Sequence, residues 1–160
     1  MNENLVKILH DGGYSCVIAK GNEVRTFTRR GVADLYDLYN TDPGFMEGAA
    51  VADKVIGKGA AALLVLGKVK SVYTDVISVP ALGLLHKAHV DTGFVREVPF
   101  IVNRDKTGSC PLESACVDID NIRVELVQLR RAEHGVLPVL GVFTLVKFRF
   151  DAVLQQKQPQ

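Results

Sequence analysis

The pattern of hydrophobic and polar positions predicts a regular series of helices and strands before Pro43. A two-residue Gly-Asn connection between β-branched runs is a hairpin signal, and proline disfavours helix in the residue before it. Three elements are predicted in this part: an amphipathic helix over Glu3–His10, a hairpin with strands Tyr14–Ala19 and Val24–Thr28, and an amphipathic helix over 32–40 that ends before Pro43.

The middle of the chain alternates strand-like and helix-like runs. Small apolar residues over Ala49–Ala52 lead into Asp53-Lys54-Val55-Ile56, and Ala60–Leu66 is apolar on every side, which is typical of a buried helix. Further along, the pattern predicts a strand over Val69–Ser78, a helix from Pro80 to about His89, and a strand over Phe94–Asn103. This order predicts right-handed crossovers on one sheet.

The C-terminal third has a different pattern. Residues 119–133 have amphipathic helical spacing, Val136–Leu154 is rich in valine, phenylalanine and leucine and predicts one or two strands, and 155–160 is a polar tail. We therefore expect a domain over 1–118, an extension over 119–154 packed on it, and a disordered tail over 155–160. The apolar stretch 136–150 is interpreted as an added edge strand, a dimer surface or a swapped element, which leaves a homo-oligomer open.

Composition narrows the class of protein. The 160 residues are 48% apolar, enough for one domain with its own core, and the formal net charge of +1 argues against nucleic acid as a partner. The longest apolar stretch, Gly135–Val146, is shorter than the ~18–20 residues of a membrane helix, so no membrane partner is expected. Three cysteines do not form a disulfide framework and no leader is recognisable, so a reducing cytoplasm is the expected location.

Three segments carry a resemblance to a known family: Gly48–Lys58, Val76–Leu82 and Asn103–Glu113. Together they resemble domain of unknown function 1893, over roughly residues 14–117. Members of that family have a cytidine-deaminase-like fold, so the resemblance implies an α/β protein: a three-layer α/β/α sandwich around a mixed sheet.

Zinc deaminases place His or Cys ligands and a proton-transferring Glu at two helix starts. The corresponding segments here, Gly57-Lys58-Gly59 and Pro80–Leu84, contain none of these residues. The sequence therefore predicts a protein that works without zinc and without another cofactor.

The first candidate site surrounds the predicted helix start after Ile56. Asp53, Lys54 and Lys58 are polar residues in apolar surroundings, and Gly57 and Gly59 flank Lys58. Main-chain N–H groups at a helix N-terminus attract anions, and lysines add positive charge, so a phosphate or carboxylate suits this place. The alternative is a local Asp53–Lys54 ion pair, with glycines that only relieve crowding between helix and sheet.

The second candidate is Cys110, next to Pro111 at a predicted helix start, where the helix dipole stabilises a thiolate. Its alternative is a small buried residue at a turn. The preceding loop residues Asn103, Arg104 and Asp105 are either ligand contacts at the carboxyl end of the sheet or turn formers. His86 and His89 are three residues apart, a spacing that lets two metal ligands share one face of a helix. Because no further ligand accompanies them, they are expected to face solvent.

Two functional hypotheses follow. The first is a zinc-independent protein that binds a small anionic or nucleotide-like ligand, including one that bears phosphate. If it is an enzyme, Cys110 is the candidate nucleophile, Lys54 the electrostatic stabiliser, and Asp53 the orienting group or base. The second is a non-catalytic module that keeps the fold for oligomerisation or partner binding.

Overall fold

A computed structural model describes residues 3–29, 31–102, 106 and 108 of the chain. The helices in this part are α1 (Glu3–Asp11), α2 (Ala33–Thr41), α3 (Pro43–Met46), α4 (Lys58–Leu66) and α5 (Val79–Lys87). The strands are β1 (Cys16–Lys20), β2 (Glu23–Phe27), β3 (Ala50–Ile56), β4 (Ser71–Ser78) and β5 (Asp91–Val98).

The five strands form one mixed sheet in the order β2-β1-β3-β4-β5. The β1–β2 and β1–β3 pairs are antiparallel, whereas β3, β4 and β5 run parallel through the crossover helices α4 and α5. The predicted α/β fold with a mixed sheet is therefore confirmed.

Helices cover both faces of this sheet. On one face, Leu5 and Leu9 of α1 pack on Val17 and Ala52. On the other face lies the larger core, to which α2, α3, α4 and α5 all contribute buried side chains, among them Leu35, Met46, Leu64 and Leu84. The described residues thus form three layers, helix, sheet and helices.

The middle helices begin and pack as their sequences predict. Every residue from Lys58 to Val65 in α4 is buried, because the helix lies between the sheet and neighbouring helices and has no solvent face to keep polar. Helix α5 begins after Ser78, whose hydroxyl accepts a hydrogen bond from the Ala81 N–H at 3.3 Å, with Pro80 in its first turn.

Two predicted boundaries are wrong. The helix predicted to reach His89 ends at Lys87, because His89 has a φ of 57°, which no helix interior contains. Because the helix ends there, the next strand begins earlier than predicted. Strand β5 spans Asp91–Val98 and not Phe94–Asn103. Pro43 does end the preceding helix, as predicted, but it also begins the short helix α3, which Asp42 caps.

Several expectations lie outside the described residues: the helix over 119–133, the stretch 136–154, the tail 155–160, and the domain boundaries that separate them. None of the helices in the described part of the chain has the length and apolar character needed to cross a bilayer.

Candidate functional site

Buried polar side chains concentrate at the carboxyl end of the parallel strands. Among the described residues, four polar side chains are buried: Asp53, Lys58, Thr74 and Ser78. Asp53 and Thr74 are neighbours on β3 and β4, while Lys58 and Ser78 lie where these strands lead into α4 and α5. Buried polar groups are costly unless they are satisfied, so their clustering marks this end of the sheet as a candidate site.

Asp53 forms a buried pair with Cys16. The two residues lie opposite each other on β3 and β1, and each side chain affects the ionisation of the other. Burial raises the pKa of Asp53 to about 7, and the nearby Val55 N–H, Cys16 thiol and Lys54 N–H act in the opposite direction. Burial and the neighbouring Asp53 carboxyl also raise the pKa of Cys16, so its thiol is protonated.

Both central strands change faces just beyond Asp53 and Thr74. Val51 and Ile56, five positions apart on β3, belong to the same core cluster, as do Val72 and Ile77 on β4. Strict alternation would put the members of each pair on opposite faces.

Side-chain hydrogen bonds lie at this change of face. The Val55 N–H donates to Asp53 Oδ1 at 2.9 Å, and the Thr74 hydroxyl donates to the Val76 carbonyl at 2.9 Å. Such local bonds offer the backbone an alternative to regular pleating. Asp53 therefore has a structural role: its hydrogen bond stabilises the change of face in β3 that precedes α4.

The two helix starts at this end differ in how they are capped. Ser78 caps α5 with its own side chain, and Pro80 provides no N–H. The cap residue of α4 is Gly57, which has no side chain to accept from the first-turn N–H groups, and the first helical residue is the buried Lys58. Of these two starts, α4 therefore has the properties that suit an anion.

The structure brings some of the sequence-predicted residues together. Asp53, Gly57, Lys58 and Gly59 occupy the end of β3 and the first turn of α4. Lys54 follows Asp53 on β3 and is half-buried, and its main-chain N–H bonds to the Ser15 carbonyl at 3.1 Å. No Asp53–Lys54 side-chain ion pair is needed to explain Asp53, which accepts from the Val55 N–H and lies opposite Cys16.

The remaining predicted residues lie outside the described part of the chain: Cys110, Asn103, Arg104 and Asp105. Cys16 is described and buried, as expected for a core residue. His86 and His89 are both exposed, as predicted.

One polar group on the α1 face was not predicted. The His10 Nε2 lies 2.9 and 3.0 Å from the two carboxylate oxygens of Asp75, and the Tyr73 hydroxyl donates to Asp75 Oδ1 at 3.0 Å. Burial and Asp75 raise the pKa of Tyr73. His10 and Asp75 are 65 positions apart, so only knowledge of which strand α1 packs near could have found this group.

Within residues 3–102, excluding Arg30, and at 106 and 108, no three His, Cys, Asp or Glu side chains are grouped to hold a metal ion.

Comparisons with known proteins address the fold and the family. The family model TM1506, a domain of unknown function (DUF1893), matches residues 4–131. The chain belongs to this family. A comparison with curated proteins finds no match.

A solved structure supports the fold of this DUF1893 chain. It is similar to the crystal structure of a DUF1893 family protein (TM1506) from Thermotoga maritima at 2.70 Å resolution, with a TM-score of 0.69 and 24% identity. The similarity covers 81% of this chain and 87% of that chain. At this level of identity the comparison shows the fold alone.

Proposed function

We propose that this protein binds a small anionic ligand, such as a phosphate-bearing or nucleotide-like molecule, at the N-terminus of α4. The observation that carries the proposal is the buried Lys58, 3% exposed, in the first turn of a helix whose cap residue is Gly57. The positive charge of Lys58 adds to that of the helix N-terminus.

The surroundings of Lys58 favour a ligand of this class. Helix α4 has the positive end of its dipole and its first N–H groups at the turn that contains Lys58. Glycine at position 57 places no side chain between the first N–H groups of α4 and a ligand. The place is also the carboxyl end of parallel strands, where open α/β sheets bind ligands.

Calorimetric titration tests the proposal with three probes: sulfate, inorganic phosphate and a nucleoside monophosphate. We expect saturable binding of at least one probe to the full chain. Lys58→Gln keeps a hydrogen-bonding side chain but removes the charge, and it should weaken binding about tenfold or more, as loss of a charged hydrogen bond does.

Lys87→Gln is the matched control, since Lys87 is exposed in the last turn of α5. It should bind the probes as the unaltered chain does. Equal weakening by both substitutions would point to general charge attraction and against a site at α4, and the absence of saturable binding of all three probes would refute the proposal.

Catalysis is a further part of the proposal. On the deaminase-like scaffold implied by the sequence resemblance, Cys110 is the candidate nucleophile, Lys54 the electrostatic stabiliser and Asp53 the orienting group or base. Asn103, Arg104 and Asp105 are candidate ligand contacts. The rate at which Cys110 reacts with a thiol reagent tests its role: a rate no faster than that of a model thiol would remove it as nucleophile.

A second function, a non-catalytic interaction module, is supported by one observation. Strand β5, at the edge of the sheet formed by the described residues, exposes apolar side chains, including Phe94 at 40% and Val95 at 70%. Exposed apolar residues at a strand edge are suited to contact with another chain. Sedimentation of the full chain over a range of concentrations tests this function, because a module that oligomerises should show mass increasing with concentration.

A further inference from the structure

Strand β5 is paired on one side only within the described part of the chain. The sheet order β2-β1-β3-β4-β5 places it at one end, with β4 as its neighbour. Alternate residues of a strand direct their N–H and C=O groups to opposite sides, so every second residue of Asp91–Val98 directs them away from β4. We call this side of β5 its outer edge, and the N–H groups on it the outer amides.

The two end strands of the sheet differ in how well they suit a further partner. Edge strands are usually short or charged, which discourages pairing with other segments. Strand β2 follows this rule, since it has five residues and its Arg25 forms ion pairs with Glu23 and Asp42. Strand β5 has eight residues, and its adjacent Phe94 and Val95 are both exposed, one on each face. Of the two, β5 is therefore the strand suited to receive another strand.

The stretch 136–150 has the properties of such a strand. It is rich in valine, phenylalanine and leucine, and apolar residues occupy consecutive positions at Val142-Phe143 and at Leu145-Val146. A strand with consecutive apolar residues is apolar on both faces, as β5 is at Phe94-Val95. Without a partner, a run of this composition would be prone to aggregation.

Charge favours β5 as the partner of this stretch. The only charged residues of 136–150 are Lys147 and Arg149, both positive. Strand β5 has a net negative charge, with the exposed Asp91 and Glu97 against a single arginine. Opposite charges on neighbouring strands stabilise their pairing.

The position of the stretch along the chain allows the pairing. Residues 103–135 connect it to the described segment that ends at Val102, shortly after β5. The eight residues of β5 extend about 26 Å at ~3.3 Å per residue, so this connection can return to either end of the strand. The match to the family model ends at residue 131, so a strand formed by 136–150 is an addition to the part that the model covers.

We propose that residues 136–150 add a strand to the sheet by pairing with the outer edge of β5. The pairing satisfies the outer N–H and C=O groups of β5 and places apolar side chains of the stretch beside Phe94 and Val95. It also occupies the edge at which another chain would pair, so it protects the protein from edge-to-edge association. This inference does not depend on the anion site, and it competes for β5 with the proposed contact with another chain.

Amide hydrogen exchange of the full chain, resolved to single residues of β5, tests the proposal. We expect the outer amides to exchange at least about tenfold more slowly than in an unstructured peptide, because they are hydrogen-bonded. This protection should stay the same over about a hundredfold range of protein concentration, because both strands belong to one chain. Fast exchange of the outer amides would overturn the proposal. Protection that disappears on dilution would make a second copy the partner and overturn it as well.

Proline substitutions identify the segment that covers the edge. Leu145→Pro and Val146→Pro are made singly, because adjacent residues direct their N–H groups to opposite sides and one of the two must lose a bond to β5. In at least one of these variants the outer amides of β5 should exchange about tenfold faster than in the unaltered chain. Gln156→Pro is the matched control: it places proline in the polar tail and should leave the exchange rates unchanged.

Exchange at β1 and β3 reports on the rest of the fold in each variant. Unchanged rates there, together with faster exchange at the outer edge of β5, would support the pairing. If the outer amides stay protected in both proline variants, another segment covers the edge and the proposal is wrong. Loss of protection on β2 instead would assign the stretch to the opposite end of the sheet. Equal acceleration throughout the fold would place it in the core, and either result would overturn the proposal.

Discussion

At the scale of single residues, the Cys16–Asp53 pair shows how an ordinary carboxyl acquires unusual behaviour. Asp53 follows a small apolar run and reaches the interior because β3 is the central strand of the sheet. Water cannot solvate its charge there, and its hydrogen bonds only partly replace that solvation. The consequence is a folded protein whose free energy depends on this one proton.

The first prediction concerns that pH dependence. The pKa of Asp53 is about 7 in the folded chain against an ordinary value of 3.8. Between these values the folded chain holds a proton that the unfolded chain has released, so the free energy of unfolding falls as the pH rises, by up to about 4 kcal/mol. Asp53→Asn should remove this part of the slope and leave the protein more stable than the unaltered chain at pH 8.

Urea unfolding at several pH values between 4 and 8 provides the measurement. Asp91→Asn, which changes an exposed carboxylate, should keep the slope of the unaltered chain. An Asp53→Asn curve parallel to that of the unaltered chain would mean that the carboxyl is ionised in the folded state at low pH and would contradict its burial.

The second prediction concerns the His10–Asp75–Tyr73 group. The His10 and Asp75 side chains are 45% and 30% exposed, so their interaction should be worth only about 0.5–1 kcal/mol. A double-mutant cycle of His10→Gln and Asp75→Asn, measured by urea unfolding at pH 6, should give a coupling of this size.

Tyr73→Phe tests the third member of that group. It removes one donor to Asp75 and should cost about 0.5–1.5 kcal/mol. Additive effects of His10→Gln and Asp75→Asn would show that the two side chains do not interact in solution.

The sequence predicts individual site residues only where the signal is local. Asp53 and Lys58 are noticeable because they interrupt apolar runs, and Gly57 because it precedes a buried helix. Cys16 has no such signal: its importance comes from the antiparallel register that places it opposite Asp53. The same holds for Asp75, whose partner is on a helix at the other end of the described chain.

At the scale of elements, the end of α1 shows a close contact that depends on glycine. The Tyr14 ring lies over Gly12, so that a side chain added at residue 12 would overlap it. Gly13 follows with a φ of 66°, which turns the chain toward β1. The two adjacent glycines therefore have different roles, one steric and one conformational.

The third prediction tests the steric role. Gly12→Ala should destabilise the protein by about 1–3 kcal/mol, because the ring of Tyr14 must move from the α1 core cluster. The same substitution in a Tyr14→Ser background should cost much less, since the obstructing ring is gone. Thermal unfolding of the four proteins gives the comparison, and an equal cost in both backgrounds would contradict the packing of Tyr14 on Gly12.

Most elements could be predicted because their patterns are local and their boundaries have clear chemistry. Turn residues, apolar runs and proline predict the hairpin, the buried helix and the strand before Pro80. The start of β5 was not, because it depends on a positive φ at His89, a conformation that a non-glycine residue adopts only in its tertiary setting.

At the scale of the whole molecule, the sheet is covered unevenly. Strands of a parallel sheet are usually buried on both faces. In β5, however, Phe94 and Val95 point to opposite faces and both are exposed. This end of the sheet contributes little to the core that the described residues form.

The fourth prediction follows from that exposure. Val95→Thr should change the free energy of unfolding by less than about 0.5 kcal/mol. Val72→Thr is the matched control, because Val72 is a strand residue that is only 1% exposed. Val72→Thr should lower the free energy of unfolding by about 1–3 kcal/mol, since the threonine hydroxyl would be buried without a hydrogen-bond partner. A large cost for Val95→Thr would show that another surface covers β5 in solution.

The order of strands could be predicted only in part. Alternating strands and helices indicate the parallel half, and a Gly-Asn turn indicates the antiparallel hairpin. Which of the hairpin strands joins the parallel half depends on packing between segments distant in sequence, and nothing local specifies that β1, rather than β2, pairs with β3.

The β1–β3 ladder has a consequence for local unfolding of the molecule. Four residue pairs, from Cys16↔Asp53 to Ala19↔Ala50, make up this ladder. It joins the β1–β2 hairpin to the continuous βαβαβ segment over residues 50–98. The Cys16–Asp53 pair lies at one end of this ladder. Loss of the Asp53 proton should therefore weaken the pairing of β1 with β3 before the hairpin or the βαβαβ segment unfolds. Amide hydrogen exchange at β1 should then quicken above neutral pH beyond the rise expected from base catalysis, and exchange at β4 should not.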